Sequence, residues 1–369
     1  MANSFCRHLS NSYRFTQQNG QLEYSPCCIT DLKQVVFTRE QLLKAQRAIT
    51  VETEKNPEKH CAKCLATERA QFRNFSRRQW GLKSIPADAV DSVPYTLEIQ
   101  IDTSCNAACT ICGPHYSTLW KKQLNQFDSK TYELKTQHHY DRLPELIDFS
   151  TLTEIRFFGG DPFFGSRHLQ VLSYIPDPSR VELLYSTNGS IKPTEEEFEF
   201  LRKFKKITLI FSIDDIGDRF TYVRWPLKWS TVESNIIYFY NNLPNIEIKI
   251  HSTVNPMTLW YVPELEEWVK SLTEKHNIAI EEHSLNPCRG DWGIDGTPPG
   301  LRNDVLTRYS VDHPIAKILN EFKETPDKFK NLENNMNFLD QQRDQNWKEC
   351  FPEVVNYFIV KHTVWETVV

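Results

Sequence analysis

From residue 95 onward, short apolar, β-prone runs alternate with longer stretches in which apolar positions recur at helical spacing. The runs predict strands over 95–101, 154–158, 181–186, 207–213, 246–253 and 278–283. Between them the spacing predicts helices over 117–126, 168–174, 194–204, 231–242 and 262–276. Pro193 followed by Thr194 and three glutamates reads as a helix start. Proline's fixed φ suits the first turn, and early acids oppose the helix dipole. The strands lack strict polar alternation and each leads into a helix, which predicts parallel strands covered by helices. Six such βα units predict an α/β fold, a partial (β/α)6 barrel. Barrels of this kind carry their working groups on the loops after the strands' C-terminal ends. A proline-containing stretch, 85–94, precedes the first of these strands, and the chain after 285 is polar and mostly helical. The reading therefore divides the chain into an N-terminal module (1–85), the partial barrel (92–285) and a helical C-terminal extension (286–369).

Composition changes this picture little. The 369 residues are 40% hydrophobic and 25% charged, as in folded soluble proteins, so a disordered or low-complexity chain is excluded. A formal net charge of −5 gives no global field that would draw the chain to nucleic acid or an anionic membrane. No apolar run reaches the length of a transmembrane helix, and the first residues lack a secretory leader's apolar stretch. The expectation is a cytoplasmic protein in a reducing compartment, whose cysteines are metal ligands or reactive thiols rather than disulfides.

The ten cysteines cluster, eight of them within the first 112 residues. Directly after the first predicted barrel strand stands Cys105-Asn-Ala-Ala-Cys109-Thr-Ile-Cys112. A CxxxCxxC loop can wrap three thiolates round one face of an iron–sulfur cube, which normally takes four, leaving one iron open. The alternative is a zinc site with a distant fourth ligand, although zinc sites more often use paired CxxC units.

Four further segments follow in order at strand ends: Gly159-Gly160-Asp161-Pro162, Thr187-Asn188-Gly189, Ser212-Ile213-Asp214, and Arg224 ten residues after Asp214. Together with CxxxCxxC they resemble the signature of the radical S-adenosylmethionine (SAM) superfamily over residues 92–285. The resemblance implies a 4Fe-4S cluster on Cys105, Cys109 and Cys112. It implies SAM contacts from Gly159, Gly160, Asp161, Pro162, Asn188, Ser212, Asp214 and Arg224, with Arg224 pairing the methionyl carboxylate bidentately. It further implies an external one-electron reductant of flavodoxin or ferredoxin type, and a 5′-deoxyadenosyl radical that takes a hydrogen atom from a substrate. Asp161 stands where the family has glutamate, an exchange of small consequence if backbone carbonyls bind SAM. Ile111 occupies a slot that is often aromatic, and no glycine-rich segment accompanies the fifth strand, where 252–256 reads Ser-Thr-Val-Asn-Pro.

Before the barrel, Cys6, Gly20, Pro26-Cys27-Cys28 and Cys61-Ala-Lys-Cys64 form a second pattern. It reads as an auxiliary 4Fe-4S cluster or as a zinc ribbon. The ligands in either case are Cys6, Cys27, Cys61 and Cys64, with Cys28 able to replace Cys27. Its first half resembles the SPASM/twitch auxiliary-cluster domains of peptide-modifying radical SAM enzymes, which implies a peptide or protein side chain as substrate. A tRNA or small-metabolite substrate is the second reading, and a non-catalytic zinc or iron–sulfur scaffold or electron carrier the third. Residues 59–83 carry seven Lys/Arg against Glu68 alone, a solvated face or else a docking surface. Cys288 falls at the barrel mouth, with Asp215, Asp218 and Asp291 as loop acids nearby, while Cys350 reads as packing.

Overall fold

The computed structural model describes residues 6–18, 21–70, 76, 78–79, 81, 85, 89–90, 93–100, 102–127 and 140–359. Gly20, Arg77, Lys83, Ile101 and residues 360–369 of the readings above lie outside them. Among the described residues nine strands form one sheet: β1 (Ser12–Gln18), β2 (Gln21–Ser25), β3 (Gln34–Val35), β4 (Thr96–Gln100), β5 (Glu154–Phe158), β6 (Glu182–Thr187), β7 (Lys206–Ser212), β8 (Ile246–Val254) and β9 (Ile280–Pro287). Their order is β3-β2-β1-β4-β5-β6-β7-β8-β9. Helices used below are α1 (Arg39–Lys55), α2 (Ala62–Ala70), α3 (Thr118–Phe127), α4 (Arg167–Leu172), α5 (Glu195–Leu201), α6 (Gly217–Val223), α7 (Trp229–Asn242), α8 (Val262–His276), α9 (Pro299–Arg308), α10 (Pro314–Glu321), α11 (Pro326–Arg343) and α12 (Pro352–Ile359).

Strands β4 to β9 are the six that the pattern predicts, and each pairs in parallel with the next. Only β9 departs by more than two residues, running on to Pro287. Parallel neighbours require right-handed crossovers, and an order that runs one way puts every crossover on the same face. That face is apolar. Leu97, Ile155, Leu183 and Ile207 stand in register across it and belong to one core with Phe198, Ile236, Phe239, Leu265 and Leu272 of the helices. Each such side chain, fully buried, contributes about 2 kcal/mol. The opposite face is polar, contrary to the expectation of weak alternation: Arg14, Glu98, Arg156, Leu184, Thr208 and Glu247 share one row. Its buried charges are paired, Arg14 with Glu98 at 2.8 Å and Arg156 with Glu154. The sheet is open, with β3 and β9 as its edges.

The N-terminal region supplies three strands that the sequence reading did not predict. β1 runs parallel to β4, and β2 returns antiparallel to β1. Tyr13, Phe15, Leu22 and Tyr24 alternate into the same core as Leu97 and Ile99, under Leu42, Ala45 and Ile49 of α1. At the other end, α9–α12 pack through Leu301, Val305, Ile315, Leu319, Met336 and Val354 on Tyr222, Val254 and Met257. Cys350 packs against this second cluster.

Candidate functional site

The loop after β4 is fastened from two sides. On one side Gly160 N donates to the Asp102 carbonyl and Asp161 N to the Ser104 carbonyl, both at 2.8 Å. On the other, Ala108 N donates to Trp225 O at 2.7 Å and Thr110 N to Val223 O at 2.8 Å. The three cysteines thus lie between the turn after β5 and the end of α6. Gly159 takes a φ of 127°, which only glycine adopts freely. A Cβ on Gly160 would run into the Ser104 carbonyl, so this close approach requires glycine as well. Within the loop, Asp102 is buried, pairs with Arg167, and accepts from Ser104 N at 2.5 Å. Trp120 Nε1 holds the Cys109 carbonyl at 2.8 Å.

Asp161 has work of its own. Its carboxylate accepts from Phe163 N (3.0 Å), Thr187 Oγ1 (2.9 Å) and Asn188 N (2.7 Å), joining the ends of β5 and β6. The short carboxylate is built into the turn. Burial raises the Asp161 pKa against these three donors. Asn188 Nδ2 reaches Asn106 Oδ1 in the cysteine loop at 3.0 Å. The Pro162 carbonyl accepts from His168 Nδ1 at 2.9 Å. Ser212 ends β7 in register with His251.

Asp214 and Arg224 form a buried pair, Arg224 Nη2 to Asp214 Oδ2 at 2.8 Å, and Asp214 Oδ1 accepts from Thr253 N at 2.8 Å. Arg224 Nη1 points at Cys109 Sγ, 3.9 Å away, while its Nε is buried and finds no acceptor among the described residues. Burial opposes the Arg224 charge, but Asp214 and Cys109 hold its pKa above the ordinary value. Burial pushes the Cys109 thiol up to about 12 against the pull of Arg224, and raises Cys105 and Cys112 too. Cys109 is buried, whereas Cys105 and Cys112 keep partial exposure.

Arg343, at the end of α11, was not singled out in the sequence, yet it reaches this loop. Its Nη2 donates to the Ala108 carbonyl at 2.7 Å. No local motif marks it, and 235 residues of chain separate the partners. Burial draws its pKa down to about 10.

The N-terminal cysteines also gather. Cys6, Cys27, Cys61 and Cys64 are buried and Cys28 is exposed. Burial and then Cys27 push Cys6 up to about 12, with Cys61 and Cys64 adding to the repulsion. Cys61 rises to about 12 through burial, Cys27 and Cys64. Among the described residues no three His, Cys, Asp or Glu side chains converge closely enough to grip a single metal ion. Beside these thiols His60 is buried between Asp31 (2.7 Å) and Glu52 (3.4 Å). In the basic stretch, Arg78 pairs with Glu68 and Arg69 with Glu58.

Cys288 is buried and lies near enough to Asp214 to feel its charge, and burial above all raises it to about 12. Asp215 is buried against Arg219 at 2.9 Å, with burial lifting its pKa to about 7. Asp218 lies in the first turn of α6, and Asp291 in a short 3-10 turn after β9.

No family model matches the chain, and no curated protein matches it. Among solved structures it is similar to native anSMEcpe with bound AdoMet, at 17% identity and a TM-score of 0.39, over 67% of this chain and 63% of that one. Streptococcus suis SuiB bound to S-adenosylmethionine is 13% identical, with a TM-score of 0.39, over 80% of this chain and 69% of that one. The chain spans 60% of the length of hexahistidine-tagged anSMEcpe with bound AdoMet, at 16% identity and a TM-score of 0.38. Likenesses of this size assign neither a family nor an activity.

Proposed function

We propose that the chain is a radical SAM enzyme that acts on a peptide or protein side chain. Cys105, Cys109 and Cys112 would hold a 4Fe-4S cluster. Gly159, Gly160, Asp161, Pro162, Asn188, Ser212, Asp214 and Arg224 would line the SAM site at the mouth of a (β/α)6 partial barrel formed by residues 92–285. When bound, the cluster and SAM supply one-electron cleavage of the sulfonium and a radical able to abstract hydrogen. The observation that carries this reading is the double fastening of the cysteine loop to the Gly159–Asp161 turn and to the Val223–Trp225 segment.

The residues fit the group on three counts. The donors are soft thiolates, which iron–sulfur clusters take, and a cube spreads them over separate irons rather than onto one point. Arg224 Nε, buried and with no acceptor among the described residues, is a donor suited to a ligand's carboxylate. The partial exposure of Cys105 and Cys112 leaves an open side to the loop. The chain's own tasks follow. The glycine pair lets the turn after β5 close on the cysteine loop, Asp161 holds that turn to the end of β6, and the Asp214–Arg224 pair fixes a cation beside Cys109.

The mutual electrostatic influence of Cys6, Cys27, Cys61 and Cys64 supports an auxiliary 4Fe-4S cluster in a twitch-like module (1–85), with Cys28 still able to replace Cys27, and with it the peptide class of substrate. In this reading residues 286–369 would be the C-terminal extension, of which α9–α12 are described. A reducing, cytoplasmic setting would keep the cysteines available as thiolate ligands. No helix among the described residues is long and apolar enough to cross a membrane. The electron comes from a flavodoxin- or ferredoxin-type donor.

The test is anaerobic reconstitution with iron and sulfide, followed by SAM and a strong reductant. Release of 5′-deoxyadenosine is expected, with about eight irons per chain. About four irons plus zinc would assign zinc to the N-terminal cysteines. Replacing Cys105, Cys109 and Cys112 together by Ala should abolish the release, while Cys61→Ala with Cys64→Ala should spare or only reduce it. Iron-loaded, well-reduced protein that releases none overturns the proposal.

A further inference from the structure

Arg343 is 6% exposed, and its guanidinium lies between two indoles, its carbon 4.8 Å from the Trp120 ring centre and 5.2 Å from that of Trp225. Nη2 donates to the Ala108 carbonyl at 2.7 Å and to Gln123 Oε1 at 3.2 Å, both neutral acceptors. Nε and Nη1 are buried and reach no acceptor among the described residues. Among the described residues no carboxylate pairs with this cation, in contrast to Arg224, which has Asp214. Arginine keeps its charge in proteins. A buried charge without a counter-ion is costly, and stacking on indoles returns only part of that cost. The arrangement persists if an anion sits at the cysteine loop, where the Ala108 carbonyl that Arg343 already holds belongs to the residue next to Cys109.

We propose that Arg343 is a positioning residue whose fixed positive charge is the counter-ion of the Cys105–Cys109–Cys112 site and raises the reduction potential of the cluster held there. The inference rests on the reading of that loop as an iron–sulfur site. A cation close to a cluster favours its more negative, reduced form, since the potential follows net charge, hydrogen bonding and exposure around the sulfurs. Trp120 and Trp225 keep water from that charge, so its field on Cys109 is little screened. The charge comes from the C-terminal helices, which gives the extension a part in electron uptake that packing alone would not require.

The experiment is a mediated redox titration of the full reconstituted chain, followed by electron paramagnetic resonance. It reads the signal that changes when SAM is added. Arg343→Gln and Arg343→Met remove the charge, the latter keeping length and packing between the indoles, and Arg343→Lys retains it. In the two neutral variants the ratio of reduced to oxidised cluster at fixed potential should fall about tenfold, which for a one-electron couple is a shift of about 59 mV to more negative values, and Arg343→Lys should stay near the wild type. An unchanged potential in iron-loaded neutral variants overturns the inference. If the neutral variants hold no iron while Arg343→Lys does, the charge is required and the inference stands. If all three lose iron alike, Arg343 is packing only and the inference fails. A wild-type chain whose iron signal ignores SAM sinks the reading underneath, a result distinct from any of these.

Discussion

At the scale of single residues, the site is held by positions with no room to vary. Gly160 lies against the Ser104 carbonyl, so any side chain must separate the turn after β5 from the cysteine loop. Gly160→Ala would strain or break the bonds from Gly160 N to Asp102 O and from Asp161 N to Ser104 O. Overpacking against backbone gives way less readily than against a side-chain tip. The expected loss is about 3 kcal/mol in a denaturant titration, together with loss of SAM cleavage. An alanine variant as stable and active as the parent would show that this approach is dispensable. Asp161 has a comparable role, since three donors from two strand ends meet one short carboxylate.

Secondary-structure elements were legible where the signal is local. The six parallel strands announce themselves by apolar runs, and α5 by Thr194, which caps it and accepts from Glu197 N at 3.3 Å. Segments 159–162, 187–189 and 212–214 stand at the ends of β5, β6 and β7, where strand ends read from the sequence put them. β1 and β2 were not: Tyr13/Phe15 and Leu22/Tyr24 are short alternations, and β1 finds its partner β4 some eighty residues on. Arg343 was not legible either, because its meaning lies in Trp120, Trp225 and Ala108, each on another element. His168 shows how an element is tied to the site. It is buried in α4 among Phe157, Phe163 and Tyr185, and its Nδ1–H donates to the Pro162 carbonyl. A proton on Nε2 would place a charge among those rings, and burial lowers the pKa from 6.5 to about 4. The folded value lies below the unfolded one, so the unfolded chain binds the proton first. Stability is therefore lost as pH falls from about 6.5 to about 4, by about 3 kcal/mol for this group. His283, lowered to about 4 by burial and by His251, acts in the same window. His168→Gln should flatten the pH dependence of the denaturation midpoint across that window, and an unaltered slope would assign the dependence elsewhere.

Over the whole molecule, the cysteine-bearing N-terminal region and the parallel strands share one sheet and one core. Tyr13 and Phe15 stand beside Leu97 and Ile99, and Leu42, Ala45 and Ile49 of α1 lie over them. Asn11 secures the join, with its carbonyl accepting from Tyr95 N at 2.9 Å and its Nδ2 donating to Val90 O at 2.7 Å. Removing residues 1–90 would take that apolar cover away and leave β4 with a bare edge of unpaired N–H and C=O groups, a template for pairing with other chains. The shortened chain 91–369 should therefore be recovered as aggregate, or elute as a large species on gel filtration with reduced helix and strand content by circular dichroism. Cys61→Ala with Cys64→Ala in the full chain leaves the sheet and its cover in place, and should remain monodisperse. If 91–369 instead folds as a well-behaved unit, the shared core is dispensable to the parallel strands, and the N-terminal region is a separable module that merely docks on them.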